Sequence, residues 1–494
     1  MNNKQKKSLN FSRRDFLGTM AATAAFTIVP RSVLGGPGYT PPSDMVNIAG
    51  IGVGARGASN IRGFATPDEP IQSRTGGVQT RFSYPYAGIQ PPPRQNTNTA
   101  GAAAAPARVA ETYKHANIYA LCDVDLDFSA HVMAGYPKAK RYQDYRIMLE
   151  KEKEIDAVMI GTPDHTHAII ASAAMKMGKH VYVEKPMVKT VYEARYLRDL
   201  AIKTGLVTQV GNQGHNSWGT IQAVEWVRSG VIGNITEVHM WSNRPIWKQG
   251  WHERPAGVPV PANLNYDVWL GPAPEKPYHP DVVHFNWRGL WDYGTGAMGD
   301  MGAHTFDTPV WALDLGYPTK IQATSTPFND VYLPQGEIVT YEFAARGNMP
   351  PVTVTWSDGG LKPPRPVRLE QNRQLRECLY IGDKGMLMHG TQDGGSDGAV
   401  PFLIPEREFS TPEILPRTKN IYVDFIEAIK EGRKSSNSFE FAAKVNEIML
   451  LTNVAVAAQR LNITLEYDAV NMKITNCPEA NDYLHYEYRK GWSL

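Results

Sequence analysis

Cysteine is scarce in this sequence. Cys122, Cys378 and Cys477 are the only three in 494 residues, far apart and without a CxxC pair. That spacing argues against a disulfide framework or a zinc–thiolate site. Cys122 sits in an apolar run and reads as a small buried hydrophobe. Net charge is nearly absent too, at +2, and no Lys/Arg stripe stands out, which argues against nucleic acid as a partner. Neither a metal-specific HExxH nor an internal repeat occurs. What is present is 42% apolar and 20% charged residues, the balance of a soluble globular chain rather than a disordered one. At this length a single core is too small a unit, so two domains are expected.

The N-terminal apolar run, Phe16 to Val29, is too short for a comfortable membrane span. Lys4, Lys6 and Lys7 precede it, followed by Ser12-Arg13-Arg14-Asp15-Phe16-Leu17. The order resembles a bacterial twin-arginine signal, S-R-R-x-F-L, with Gly18 where lysine is common. A basic, mildly apolar tail is the alternative. Residues 1–35 are set aside as this signal, with cleavage near Leu34 to Gly36, a periplasmic destination and no stable membrane insertion after processing.

From residue 44 the chain alternates. Met45–Ile51 reads as a buried parallel strand and Ala58–Phe64 as a helix. Residues 66–106, rich in Pro, Gly, Gln, Asn and Thr, read as an inserted excursion. A helix over Arg108–Lys114 and a strand over Asn117–Cys122 follow. Strands at Ile155–Ile160, His180–Val183 and Leu206–Val210 then enclose helices at His167–Met177 and Tyr192–Thr204. Such alternation predicts a doubly wound parallel sheet over 44–211.

Beyond Gly211 the grammar changes. A helix over Thr220–Ser229 leads to strands at Ile235–Trp241, Ile338–Phe343 and Val352–Trp356. Two more strands flank a Gly-Asp-Lys-Gly turn within Cys378–Met388, and helices over Ile421–Glu431 and Phe441–Leu461 close the chain. Residues 212–494 are therefore read as an α+β domain with a large, mostly antiparallel open sheet.

The first strand runs into Gly52-Val53-Gly54-Ala55-Arg56-Gly57, a G-x-G-x-x-G. Such glycines let the backbone turn and approach a pyrophosphate at a helix N-terminus. Asp123, ending the next strand, would bind the ribose hydroxyls and repel a 2′-phosphate, favouring NAD over NADP. The acid normally falls about 20 residues after the glycines. Here the gap is much longer, and the 66–106 insertion is assumed to account for it. A glycine turn in a sheet that binds no nucleotide remains the alternative.

Three further stretches fall in order behind the glycines: Gly161-Thr162-Pro163-Asp164-His165-Thr166-His167, then Glu184-Lys185-Pro186, then Gly299-Asp300-Met301-Gly302-Ala303-His304. Together they resemble the glucose–fructose oxidoreductase/inositol dehydrogenase family, Gfo/Idh/MocA, over about Val46 to Trp492. The E-K-P motif is the most specific piece. The resemblance implies a Rossmann domain followed by an open sheet, with nicotinamide between them and the sheet face serving homo-oligomer contact. It implies that Lys185 holds or polarises the reacting oxygen and contacts the cofactor ribose, that Asp300 orients the substrate, and that His304 is the general base. Arg56, Thr162, Pro163, His165 and Glu184 would line the cofactor cleft with Gly52, Gly54 and Gly57.

Chemistry is consistent with those roles. Histidine titrates near working pH, and an adjacent carboxylate can orient its ring. A lysine ammonium stabilises a developing alkoxide. Asp300 and His304, four residues apart, would share one face of a helical turn. Taken alone, Asp300 also fits a helix cap and His304 a satisfied buried histidine; a metal would need a third ligand such as His284 or Asp307. The E-K-P motif decides for the acid–base pair, with no metal. Substrate candidates are Asn212, His215 and Trp218, at the entry to the second domain, and Tyr293, in an aromatic-rich stretch suited to a sugar ring.

The function expected is an NAD-dependent oxidoreductase acting on a hydroxyl of a sugar or glycoside, its cofactor tightly held and internally recycled. The alternatives are an NAD-dependent glycosidase working by transient oxidation and elimination, and a non-catalytic nucleotide- or sugar-binding protein.

Overall fold

The computed structural model describes residues 44–71, 116–391, 400–410 and 412–494. The expected signal 1–35, most of the 66–106 insertion and the helix expected at Arg108–Lys114 lie outside the described residues.

Six parallel strands form the first sheet: β1 (Val46–Ile51), β2 (Ala116–Cys122), β3 (Lys140–Tyr142), β4 (Ala157–Ile160), β5 (His180–Glu184) and β6 (Thr208–Gly211). Their spatial order is 3-2-1-4-5-6, the doubly wound arrangement whose strand order reverses at β1/β4. Both central strands are almost wholly buried, which is why they are continuous apolar runs rather than alternating ones. The intervening helices are α1 (Arg56–Phe64), α2 (Leu126–Gly135), α3 (Tyr145–Lys151), α4 (Asp164–Lys176) and α5 (Val191–Thr204). Helix α5 opens with a reciprocal capping box between Thr190 and Glu193 and stops at left-handed Gly205.

Sequence analysis left α2, β3 and α3 unassigned. The strand Lys140-Arg141-Tyr142 is a short, exposed edge and α3 has only seven residues, so neither carries a readable hydrophobic period.

The second sheet has nine strands. After α6 (Trp218–Arg228) come β7 (Ile235–Trp241), β8 (Lys320–Ser325), β9 (Glu337–Phe343), β10 (Val352–Ser357), β11 (Cys378–Gly382), β12 (Gly385–His389), β13 (Phe402–Ile404), β14 (Leu465–Asp468) and β15 (Lys473–Ile474). They lie in the order 13-12-11-7-10-9-8-14-15. All neighbours are antiparallel except β7 and β10. The helical stretch Phe439–Leu461 is long and apolar enough to cross a membrane by composition, yet most of it is buried in the protein core. The helix Ile421–Glu431 packs Ile421 and Phe425 into the same apolar cluster as Ile61 and Phe64 of α1 and Tyr182 of β5.

Between β7 and β8 lies a long segment of loops and short helices. It crosses back over the ends of β1, β2 and β4, where ligands collect in such sheets.

Candidate active site

A cavity of about 460 Å³ opens there, between the glycine loop and the loops from the second sheet. Its floor explains the glycines. A β-carbon on Gly57 would sit 1.9 Å from the carbonyl oxygen of Gly52, so the first turn of α1 closes onto β1 only with glycine. Gly52 has φ of +75°, and a side chain there would strike Thr162 and the backbone of Gly161. The backbone N–H groups of Val53 and Gly54 donate to Asp123 Oδ2 at 2.8 and 3.0 Å, and that of Asp125 donates to Oδ1 at 3.0 Å. Burial pushes the Asp123 carboxyl up to about 6 against those hydrogen bonds. Asp123 thus fixes the loop itself; Oδ2 has both lone pairs engaged by the loop, and Oδ1, with one donor, keeps a lone pair for a further hydroxyl.

Beside the loop, Arg56 Nε donates to Glu184 Oε1 at 3.1 Å, and Gln213 Nε2 donates to the same oxygen at 3.2 Å. Lys185 follows at the end of β5. Its Nζ donates to Asp300 Oδ1 at 2.8 Å and to the Asp300 carbonyl at 2.7 Å. His167 links the loop after β4 to this turn, one ring nitrogen 2.7 Å from the Pro186 carbonyl and the other 2.8 Å from that of Thr162.

Asp300 does not cap a helix. It lies within a π-helical turn, Met298–Gly302. Gly299 is required there, because a β-carbon would come within 1.7 Å of Thr295 Oγ1. The hydroxyl of Thr295 is itself engaged, donating to Asp164 Oδ2 at 2.6 Å. Two arginines that sequence analysis missed complete the surroundings: Arg244 Nε lies 3.5 Å and Arg288 Nε 3.8 Å from the Asp300 carboxylate. Burial alone would raise its pKa, but the charges of Lys185, Arg288 and Arg244 outweigh that and hold it well below the usual carboxylate range.

His304 lines the same cavity. An adjacent carboxylate could orient its ring, but here Asn212 does so. The Asn212 amide Nδ2 donates to the Ala303 carbonyl at 3.1 Å, which leaves Oδ1 to accept from His304 Nδ1 at 2.7 Å. With its proton on Nδ1, the imidazole presents Nε2 as the proton acceptor. Burial first, and then the charge of Lys185, push the His304 pKa down to about 3, so the ring is neutral at working pH. Asn212, expected to touch substrate, instead holds the His304 ring.

Lys185, Asp300, His304, Gly52, Gly54, Arg56, Asp123, Thr162, Pro163 and Glu184 all line the cavity, and Gly57 lies beneath it. Asn212 stands behind His304 without lining it, and four further expected residues do not line it either. His165 is buried, with Nε2 2.9 Å from the Trp269 carbonyl and its ring packed on Tyr293. Tyr293, fully buried, is held by Arg254 and packs edge-on to Trp269. His215 pairs with Asp307 at 3.0 Å and stacks on Trp311, and Trp218 lies under the Arg417 guanidinium. Each of these four builds a wall behind the cavity or lies away from it. Aromatic richness near the motifs indicated packing, and sequence spacing does not distinguish the two. Among the described residues no group of three or more His, Cys, Asp or Glu side chains is placed to hold a metal ion. Of the third ligands considered, Asp307 is taken by His215, and His284 faces Asp125 at 3.3 Å.

At the ribose end the loop after β2 is strapped down. Leu264 forms an antiparallel bridge with Asp125, the Asn265 N–H donates to the Val124 carbonyl at 2.8 Å, and Asn263 Nδ2 donates to Asp125 Oδ1 at 2.8 Å. His284 stacks flat on Phe128 at 4.2 Å, and Phe128 in turn covers Gly54. The segment between β7 and β8 therefore holds the loop that begins at Asp123.

Comparisons with known proteins agree with this fold. Residues 99–212 match the profile described as oxidoreductase family, NAD-binding Rossmann fold, and residues 220–341 match that of the C-terminal alpha/beta domain of the same family. The glycine loop precedes the first match, which begins within the insertion. A glycosyl hydrolase family 109 protein of Shewanella pealeana is 26% identical over 301 residues, 53% of this chain and 55% of that protein. An inositol 2-dehydrogenase of Salmonella typhimurium is 28% identical over 134 residues, 27% of this chain and 40% of that protein. The chain thus spans about half the length, or less, of these curated relatives. Among solved structures, an aldose–aldose oxidoreductase from Caulobacter crescentus complexed with glycerol superposes with a TM-score of 0.52 at 16% identity, covering 85% of this chain and 99% of that one. At that identity the likeness is one of fold.

Proposed function

The chain belongs to the Gfo/Idh/MocA oxidoreductase family, and from that premise we propose that it oxidises a hydroxyl of a sugar or glycoside with a retained NAD. The observation that carries the reading is the contact set Lys185–Asp300 and Asn212–His304, opening onto one cavity with the glycine loop.

The residues fit a dinucleotide. Gly52 and Gly57 keep clear the backbone approach that a pyrophosphate needs, and Asp123 has acceptor capacity for ribose. When bound, nicotinamide supplies the hydride acceptor. The chain's own groups do the rest. His304 Nε2, neutral and held through Nδ1, takes the hydroxyl proton. The Lys185 ammonium stabilises the negative charge that grows on the substrate oxygen. Asp300 fixes that ammonium and offsets part of its charge toward His304, making the imidazolium less unfavourable. The carbon loses a hydride and the oxygen a proton, leaving a carbonyl.

Retention of the nucleotide is supported by the strap at Asn263–Asn265, which closes on the loop carrying Asp123. The Ser12–Leu17 stretch supports export by the twin-arginine route to the periplasm. An exported enzyme would meet little free NAD and would have to recycle its own. A second reading, redox-neutral glycoside cleavage by transient oxidation and elimination, uses the same residues and is favoured by the long match to the glycosyl hydrolase family 109 protein.

The test begins with protein purified without added nucleotide. Denaturation and mass spectrometry should release near-stoichiometric NAD or NADH. A protein that is empty and also fails to bind added NAD would defeat the proposal. His304→Ala should keep the nucleotide and lose turnover. A keto-sugar product with the glycosidic bond intact supports the oxidoreductase; a released aglycone supports the glycosidase.

A further inference from the structure

The substrate end of the cavity is unevenly charged. Lys185 is matched by Asp300, at 2.8 Å. Arg288 is matched by Asp164, whose carboxylate accepts from Nη1 at 3.0 and 3.1 Å. Arg244 is left with a 3.5 Å approach to the same Asp300 that Lys185 already holds. Its Nε is buried, and among the described residues it makes no hydrogen bond. Three cations therefore share two carboxylates at this end of the cavity.

Arg244 is also firmly seated. Its backbone N–H donates to Ser242 Oγ at 3.1 Å, its carbonyl accepts from Gly359 N–H at 2.7 Å, and Nη1 donates to the neutral Asn243 Oδ1 at 2.8 Å. A cavity-lining guanidinium that is fixed, partly exposed and under-matched is an anion site waiting for its partner.

We propose that the substrate carries a carboxylate, as a uronic or aldonic acid does, and that Arg244 binds it. The assignment rests on the sugar-oxidoreductase reading and narrows its substrate class. One surplus positive charge suits a monoanion; a phosphate dianion would leave the cavity with excess negative charge. Planar guanidinium and planar carboxylate also match geometrically, where a lysine would not. The site lies close to the base, for the Arg244 charge is among those acting on His304. A carboxylate docked there cancels that charge and makes His304 a better proton acceptor.

The experiment compares matched ligands on the nucleotide-loaded full chain: methyl glycosides of common hexoses, the corresponding methyl uronides, and hexose 6-phosphates. Calorimetric titration should show each effective uronide binding about tenfold to a hundredfold tighter than its glycoside, the range of a charge-assisted hydrogen bond. Arg244→Gln should bring that ratio close to one, and Arg244→Lys should restore part of it. Equal affinity for uronide and glycoside, or a ratio unchanged in Arg244→Gln, overturns the assignment. So does tighter binding of the phosphates. Turnover of glycosides without any uronide preference leaves the oxidoreductase reading standing and removes only this inference. If loaded protein binds no member of any series, the sugar reading falls too. Should Arg244→Gln fail to fold, the wild-type ratio and its weakening with added salt still decide.

Discussion

Asn212 Oδ1 and His304 Nδ1 meet at 2.7 Å, and the other end of the Asn212 amide is pinned to the Ala303 carbonyl. One side chain from the end of the parallel sheet thereby sets the tautomer of a histidine from the second domain. Substituting Asn212→Ala frees the ring to hold its proton on either nitrogen. We expect kcat to fall about tenfold to a hundredfold, within the range attributed to positioned general bases, with a smaller change in KM. Asn212→Asp places a negative charge on the ring and should raise the His304 pKa, read by NMR. A shift downward would contradict the proposed contact.

Lys185 acts on His304 in the opposite sense. Burial is the larger cause of the low His304 pKa, and the Lys185 charge adds to it. Removing that charge in Lys185→Met should raise the pKa from about 3 toward, but not to, the ordinary value near 6.5. An NMR titration of the nucleotide-loaded protein measures this directly. An unchanged value would mean that the two groups are not coupled as the geometry implies.

The strap over the ribose loop gives a kinetic prediction. Asn263→Ala removes the hydrogen bond to Asp125 Oδ1, and His284→Ala removes the stack on Phe128 and the approach to Asp125. A hydrogen bond to a carboxylate contributes about 1.5–3 kcal/mol, so each variant should release nucleotide about tenfold faster or more. Stopped-flow fluorescence of bound NADH checks it. Release at the wild-type rate in both variants would remove the strap from the account of retention.

Acid should destabilise the protein from about pH 6.5 downward. Burial holds His165 and His304 at about 3 and His389 at about 4, all below the unfolded value near 6.5. Between those values the unfolded chain binds more protons, so stability rises with pH and is lost as pH falls through the window. Asp123, raised to about 6, opposes this, as do the raised carboxyls of Glu193, Glu337 and Asp358, but burial also lowers His167, His180, His252 and His485, so the histidines outnumber the opposing carboxyls. His389→Asn should reduce the slope of unfolding free energy against pH by up to about 1.4 kcal/mol per unit. Denaturant titrations at pH 5 and 7 give that slope.

The elements legible in the sequence were those with strong local signals. The strand Ile235–Trp241 and the helix Ile421–Glu431 stand where the hydrophobic pattern put them. The glycines at 52, 54 and 57 announced a close backbone approach because no other residue fits there. What was hidden depended on pairs distant in the chain. Arg244 and Arg288 meet Asp300 only because the segment between β7 and β8 folds back over the parallel sheet. His215 looked like a site residue by position, yet its ring turns away to Asp307. Sequence by itself determined the parallel sheet and the glycine loop and singled out Lys185, Asp300 and His304 as candidates, since each follows from local backbone geometry or from a motif. Tertiary structure alone decided which amide holds the His304 ring and which cation lacks a full partner, because hydrogen bonds and charge balance in a cavity are set by distance in space and not along the chain.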